Sequence, residues 1–398
     1  MRSHAMPWKE SSAASEQKAF IEAWLQGRES FSELCRGFGI SRKTGYKRIN
    51  RFKERGYDGL GDLSRAPHTH PNATSDWVHD RLIEVKRDHL TWGPKKIVAW
   101  LRAEQPETRW PAPSTTGDIL DRAGLVKRRK RRRKVSEWAE PFGQATDANH
   151  VWCADFKGWF RTADGTRVDP LTVQDASTRY LVLCAGLEQP RGPQVRRAMT
   201  TAFMAYGLPL YIRTDNGPPF ASVGLGGLSP LAVWWVKLGI IPERIEPGHP
   251  EQNGRLERLH RTLKAETAQP PSHSLRSQQK QFDAFRTSYN EDRPHEALGQ
   301  QRPGGQYRPS SREYPLRIQS PEYDQGVTVR RVRTNGQIKW NGNMVYLSES
   351  LRGEPVGLVP VDDRHWRIQF GPLSIGLLDE HIGRVVHTPT KVLPMCPV

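Results

Sequence analysis

Cysteine is scarce in this chain, long apolar runs are missing, and acidic residues are outnumbered. The four cysteines, Cys35, Cys153, Cys184 and Cys396, lie far apart, so their spacing forms neither a disulfide framework nor a CxxC zinc site. No apolar run approaches the roughly 18 to 20 residues that a spanning helix needs. Met1 to Glu10 also lacks a signal-peptide core, so a soluble cytoplasmic protein with no membrane partner is expected. Hydrophobic content is low at 36%, but 13 Trp and 12 Phe suffice for several small cores and exclude wholesale disorder.

Basic residues dominate instead. Lys and Arg number 60 against 43 Asp and Glu, a net charge of +17 that favours a polyanionic partner, nucleic acid first. A length of 398 residues exceeds one ordinary domain and suggests three or four units.

Residues 1–60 read as a helix-turn-helix domain, with helices over Glu16 to Leu25, Phe31 to Gly37 and Arg42 to Arg55. Ser41 is a good N-cap. Arg42, Lys43, Thr44, Lys47 and Arg48 open the last helix, where a recognition helix would meet the major groove. Leu34, Ile40, Tyr46 and Ile49 are its expected core. A plain three-helix bundle is the alternative; local and global charge together favour DNA.

A Gly, Pro and His-rich linker precedes a second helix-turn-helix unit over residues 75–126, with apolar positions Trp77, Val78, Leu82, Ile83, Ile97, Val98, Leu101, Ile119 and Leu120. The basic linker 127–148 follows. Its run Lys127, Arg128, Arg129, Lys130, Arg131, Arg132, Arg133 and Lys134 repels itself until phosphates neutralise it, so it should track DNA.

From His150 the pattern becomes strand-like, over Val151 to Trp159, Arg167 to Gln174 and Arg179 to Gly186. A helix over Pro193 to Tyr206 and a short strand, Leu210 to Thr214, come next. An apolar helix through Leu231 to Leu238, a strand near Ile240 to Ile245, a polar helix after Pro250 and a helix over Leu275 to Tyr289 complete an α/β unit with a mixed sheet, residues 149–307. Residues 325–390 alternate in short β runs, Val329 to Val332, Met344 to Leu347, Val356 to Val361 and His365 to Phe370, which suggests a small β barrel.

Two carboxylates stand out. Asp155 lies in an otherwise apolar strand, where an ionised side chain is costly unless paired or metal-bound. Asp215 closes another strand, where open α/β sheets carry their sites. Each has a bland reading, an edge charge and an Asp-Asn-Gly turn. Asp175, between two strands, is expected to cap a turn rather than bind metal.

Taken together, Trp152-Cys153-Ala154-Asp155, Thr214-Asp215-Asn216-Gly217, the run Pro250 to Lys264, Tyr289-Asn290, Arg293-Pro294-His295 and Leu298-Gly299 resemble the catalytic core of retroviral integrases and related bacterial insertion-sequence transposases. The resemblance implies an RNase H-like fold, two Mg²⁺ ions with Mn²⁺ as a substitute, and Asp155, Asp215 and a glutamate as catalytic metal ligands. The usual integrase spacing selects Glu251, whereas the position three residues after Asn253-Gly254 selects Glu257. The motif decides for Glu257, because Asn253, Glu257, His260 and Lys264 share a helix face beside the apolar Leu256, Leu259 and Leu263. Asn253, His260, Arg261 and Lys264 would contact DNA. The zinc module of retroviral integrases is absent, since Cys35 has no second Cys nearby.

The implied function is a DNA transposase, located in the cytoplasm with the nucleoid. It would bind the terminal inverted repeats of its element, release 3′-hydroxyl ends and join them to target DNA as a homodimer or larger assembly. The alternatives are a non-catalytic DNA-binding regulator with a retained core, a hydrolytic nuclease of the same fold, and an RNA or membrane-surface binder resting on charge alone.

Overall fold

The computed structural model describes residues 12–61, 73–126, 145–245 and 254–386. The basic run Lys127 to Lys134, Glu251, Asn253 and Cys396 lie outside the described residues. The chain divides into two compact units, 1–73 and 74–398.

In the first unit, α1 (Ala13–Gln26), α2 (Phe31–Gly37) and α3 (Arg42–Arg55) surround Phe20, Ile21, Leu34, Cys35, Ile49 and Leu60. Ser30 and Glu33 form a capping box at α2, and Ser41 caps α3 by accepting the Thr44 N–H. Tyr46, expected in the core, is 51% exposed and packs on Phe31 from outside. Gly45 faces inward instead. A Cβ there would stand 2.7 Å from Cys35 Sγ and 2.9 Å from Phe31, so α2 and α3 approach at a point that only glycine permits.

The second unit begins with α4 (Asp76–Asp88), α5 (Pro94–Glu104) and α6 (Pro113–Arg122) around Val78, Leu82, Val85, Trp92, Ile97, Leu101, Trp110 and Leu120. Trp77 was expected to be buried with Val78, but it is 54% exposed and meets Trp110 edge to face. This three-helix body is tied to the later core. Arg293 donates to Thr91 (3.1 Å) and Glu266 (3.0 Å), Lys95 pairs with Glu296, and Arg302 pairs with Glu104.

The central sheet contains β1 (Val151–Phe156), β2 (Phe160–Arg161), β3 (Arg167–Asp175) and β4 (Leu181–Leu187). After α7 (Gly192–Tyr206) come β5 (Tyr211–Thr214), α8 (Pro230–Lys237) and β6 (Ile241–Arg244). β3 pairs antiparallel with β1, β2 and β4, while β1, β5 and β6 run parallel, the mixed sheet expected from the pattern. α9 (Gly254–Thr267) and α10 (Leu275–Glu291) cover one face, followed by the short α11 (Pro303–Gln306).

Strand alternation sorts the side chains. Trp152 and Ala154 enter the cluster with Val195, Phe203 and Trp235 from α7 and α8. Val151 and Cys153 enter the opposite cluster with Leu256, Leu259 and Leu263 of α9 and Phe282 of α10. Each fully buried leucine contributes roughly 1.5 to 3 kcal/mol, so the three hold α9 against the sheet.

The C-terminal segment forms β7 (Thr328–Arg331), β8 (Gln337–Trp340), β9 (Asn343–Tyr346), β10 (Pro355–Pro360), β11 (His365–Phe370), β12 (Leu373–Asp379) and β13 (Arg384–Val386). The expected closed barrel is not found among the described residues. The segment is an open antiparallel sheet in the order β13-β12-β11-β10-β7, with β8 and β9 as a separate hairpin. Its apolar face needs no closure. Leu358, Ile368, Phe370, Ile375 and Leu378 share one continuous core with Trp234, Trp235 and Val236 of α8.

Candidate active site

β1 and β5 lie side by side and parallel, with Val151 level with Tyr211 and Cys153 level with Arg213. Continued two residues further, that register sets Asp155 beside Asp215 at the carboxyl ends of both strands. Alternation gives Asp155 the same facing as Val151 and Cys153, toward α9. The sequence Asp215-Asn216-Gly217 makes the turn. Gly217 donates its N–H to Asp215 Oδ1 at 3.3 Å, and Asn216 donates to the Ile245 carbonyl at 2.8 Å.

α9 supplies the third wall. Glu257, in its first turn, lines a cleft of about 560 Å³ with Lys157, His260, Arg261 and Lys264. Lys157 was not anticipated, although its place two residues beyond Asp155, just past the end of β1, was the signal. The electrostatics are strained. Burial, then the charge of Asp215, then that of Glu257, push Asp155 up to about 7, although the Phe156 N–H bonded to its carboxylate opposes the shift.

His260 does not face outward as a phosphate ligand. It is buried, its Nε2 shares a 2.7 Å hydrogen bond with Thr172 Oγ1, and its Nδ1 is 3.9 Å from Asp155 Oδ2. Burial, then Lys157, lower its pKa to about 4, so it meets Asp155 as a neutral ring rather than as an ion-pair partner. Thr172, register-paired with Asp155 on β3, also donates to the Asp155 carbonyl at 3.3 Å. No sequence-local signal marks this threonine.

Asp175 is a structural hub. Its carboxylate accepts from the Asn149 N–H at 2.7 Å and from the Thr178 N–H and hydroxyl at 2.8 and 2.7 Å. Asn149 in turn accepts from Trp152 Nε1 and the Tyr307 hydroxyl, joining the start of the core to its end.

In the first unit Arg42, Lys43 and Lys47 are exposed along α3, whereas Thr44 is drawn into the Ser41 cap and Arg48 donates to the Leu60 carbonyl. Among the described residues, no three His, Cys, Asp or Glu side chains stand close enough together to hold a metal ion as they are. The chemistry nevertheless fits one. Hard carboxylate oxygens are the ligands Mg²⁺ prefers, and a cation would relieve the charge that raises Asp155.

Residues 145–250 and 238–303 match integrase core domains, 16–68 a helix-turn-helix domain and 44–120 a homeodomain-like domain. The insertion element IS476 uncharacterized 39.2 kDa protein of Xanthomonas euvesicatoria is 29% identical over 284 residues, 70% of this chain and 78% of that protein. The chain carries integrase core and helix-turn-helix domains and is similar to insertion-element proteins. A second relative is the insertion element IS407 uncharacterized 31.7 kDa protein of Burkholderia multivorans, 28% identical over 57% of this chain and 79% of that protein. Among solved structures, the chain is similar to the HTLV-2 integrase catalytic core domain in complex with magnesium (TM-score 0.32, 16% identity, 40% of this chain, 97% of that one). It is also similar to the simian T-cell lymphotropic virus intasome in complex with a PP2A regulatory subunit (TM-score 0.37, 17% identity, 77% of this chain, 99% of that one).

Proposed function

We propose that this chain binds the ends of its own element, cuts there to free 3′-hydroxyls and joins them to target DNA. The observation that carries the reading is the half-buried Asp155, level with Asp215 and raised by the charges of both Asp215 and Glu257. Asp155, Asp215 and Glu257 would be the catalytic carboxylates and would hold two Mg²⁺, or Mn²⁺ in their place. When bound, such ions stabilise the attacking and leaving oxygens of an in-line displacement at phosphorus.

The remaining steps belong to the chain's own groups. Thr172 and neutral His260 keep Asp155 aimed at the cleft. Lys157, Arg261 and Lys264 line or edge the same cleft and would take the phosphates on either side of the scissile bond. The reading requires the first turn of α9 to bring Glu257 onto Asp155 when the site is loaded.

Arg42, Lys43 and Lys47 of α3 would read the end in the major groove, and the run 127–134 would follow the backbone between units. Two ends joined in concert would need a homodimer or larger assembly near the nucleoid. The test is Asp155→Asn on a duplex carrying the DNA that flanks the coding sequence. End binding should persist and strand cleavage in Mg²⁺ should disappear; residual cleavage refutes the assignment. Scoring joined against merely cleaved product separates a transposase from a hydrolytic nuclease.

A further inference from the structure

The strand that carries Asp155 continues into an exposed aromatic group that the site above does not use. Gly158, at φ 87°, turns the chain away from the sheet. Trp159 follows and is 56% exposed, an expensive position for the largest side chain. Two guanidinium groups stand over its ring, Arg167 at 5.1 Å and Arg161 at 5.7 Å from the centroid.

Neither cation is free to wander. Arg167 is held by a two-pronged bond to the buried Asp169 carboxylate at 2.7 and 3.0 Å, and Arg161 donates to the Gly165 carbonyl at 2.6 Å. The indole is therefore steadied in solvent by two held guanidiniums, of which Arg167 is charge-paired with Asp169. Beside it, Arg167 and Arg191 line a second cleft of about 550 Å³ with Thr166, Glu188, Gln189 and Pro190. An exposed indole among ordered guanidiniums is the chemistry of a base-stacking platform, where the ring takes a nucleobase and the cations take the adjoining phosphates.

Position narrows the ligand. Lys157, two residues before Trp159, lines the cleft with Glu257. From Asp155 to Trp159 the chain reaches about 14 Å at most, roughly two nucleotides of extended strand. Bases within a paired helix present no free face to such a ring.

We propose that Trp159, with Arg161 and Arg167, stacks an unpaired base of DNA within about two nucleotides of the cleavage point. The platform thereby favours melted over paired DNA at the end. This rests on the transposase reading for its location, but its test does not use catalysis.

The test is equilibrium binding of a 12-nucleotide thymidine single strand, and of a 12-base-pair duplex, to the full chain at fixed salt. Trp159→Ala should weaken single-strand binding about 10-fold, the effect of losing one stacked base, while duplex affinity stays within about twofold. Trp159→Phe should keep most of the affinity, and Arg161→Gln should weaken the single strand more than the duplex. Equal losses on both DNAs, or no loss on either, overturn the proposal. So does a shift of Trp159→Ala to a smaller species in sedimentation, which would make the indole a contact between copies of this chain. Failure of Asp155→Asn to abolish cleavage would strike the catalytic reading and leave these binding results intact.

Discussion

Thr172 Oγ1 and His260 Nε2 lie 2.7 Å apart, a buried bond that fastens α9 to the strand neighbouring Asp155. The sheet and α9 are thus joined by a polar contact beside Asp155. Thr172→Val should leave His260 Nε2 unpartnered, cost about 1 to 3 kcal/mol, and lower cleavage more than end binding. Thr172→Ser keeps the hydroxyl and should restore both. Urea unfolding and a cleavage time course check this, and full activity in Thr172→Val would show that the bond positions nothing.

Asp155 should make the metal-free protein less stable as pH rises. Its folded pKa of about 7 lies above the unfolded carboxyl value, so the folded state binds the extra proton. Stability then falls as pH climbs from the unfolded value through the folded one. In chelator at pH 8, Asp155→Asn should be more stable than the native chain by an amount of order 2 kcal/mol, read as a higher melting temperature. At pH 4 the two should converge. Added Mg²⁺ should raise the native melting temperature at pH 8 and leave Asp155→Asn nearly unmoved; the reverse ranking would refute this account.

His295 should act in the other direction. Burial, then Lys96, then Arg293, lower its pKa to about 3, below its unfolded value, so its contribution is complete above the unfolded pKa and fades as pH falls. Its ring packs edge to face on Tyr289 with centroids 4.6 Å apart, and Nε2 faces the Tyr289 carbonyl at 3.4 Å. Between pH 7.5 and 5 the native chain should lose about 2 kcal/mol more than His295→Phe. Denaturant midpoints at the two pH values measure the difference, and parallel losses would assign the acid sensitivity elsewhere.

Gly45→Ala should destabilise the first unit by about 1 to 3 kcal/mol despite the better helix propensity of alanine, because the added carbon meets Cys35 Sγ and Phe31. Cys35→Ala in the same chain should recover part of the loss, since it removes the nearer obstacle. Thermal unfolding of the single and double variants reads the coupling. Strict additivity would mean that the close approach is relieved some other way.

Much of this architecture could be read from the residues. The apolar face of α9 at Leu256, Leu259 and Leu263 is buried as helical spacing required, and β1, β3 and β5 stand where the strand-like pattern put them. Periodicity failed where an adjacent residue takes the inward position. Tyr46 and Trp77 are both exposed, because Gly45 sits at a close helix crossing and Val78 takes the core side of α4. Alternation in the C-terminal strands specified an apolar face but not what covers it, so an open sheet lying on α8 could not be told from a barrel. In the site, Asp155 was visible through the cost of its surroundings and Asp215 through its place at a strand end. Thr172 and the inward turn of His260 were not, since both depend on partners far away in the chain.

The open C-terminal sheet has a practical consequence. Its inner residues, Ile375 against Gly226 and Gly371 against Val236, complete the same interior that seats Trp235 behind β1. A fragment trimmed after Tyr307 would bare that greasy flank to water and should precipitate. The central sheet is therefore not a detachable cassette, and its tail is inherited along with it.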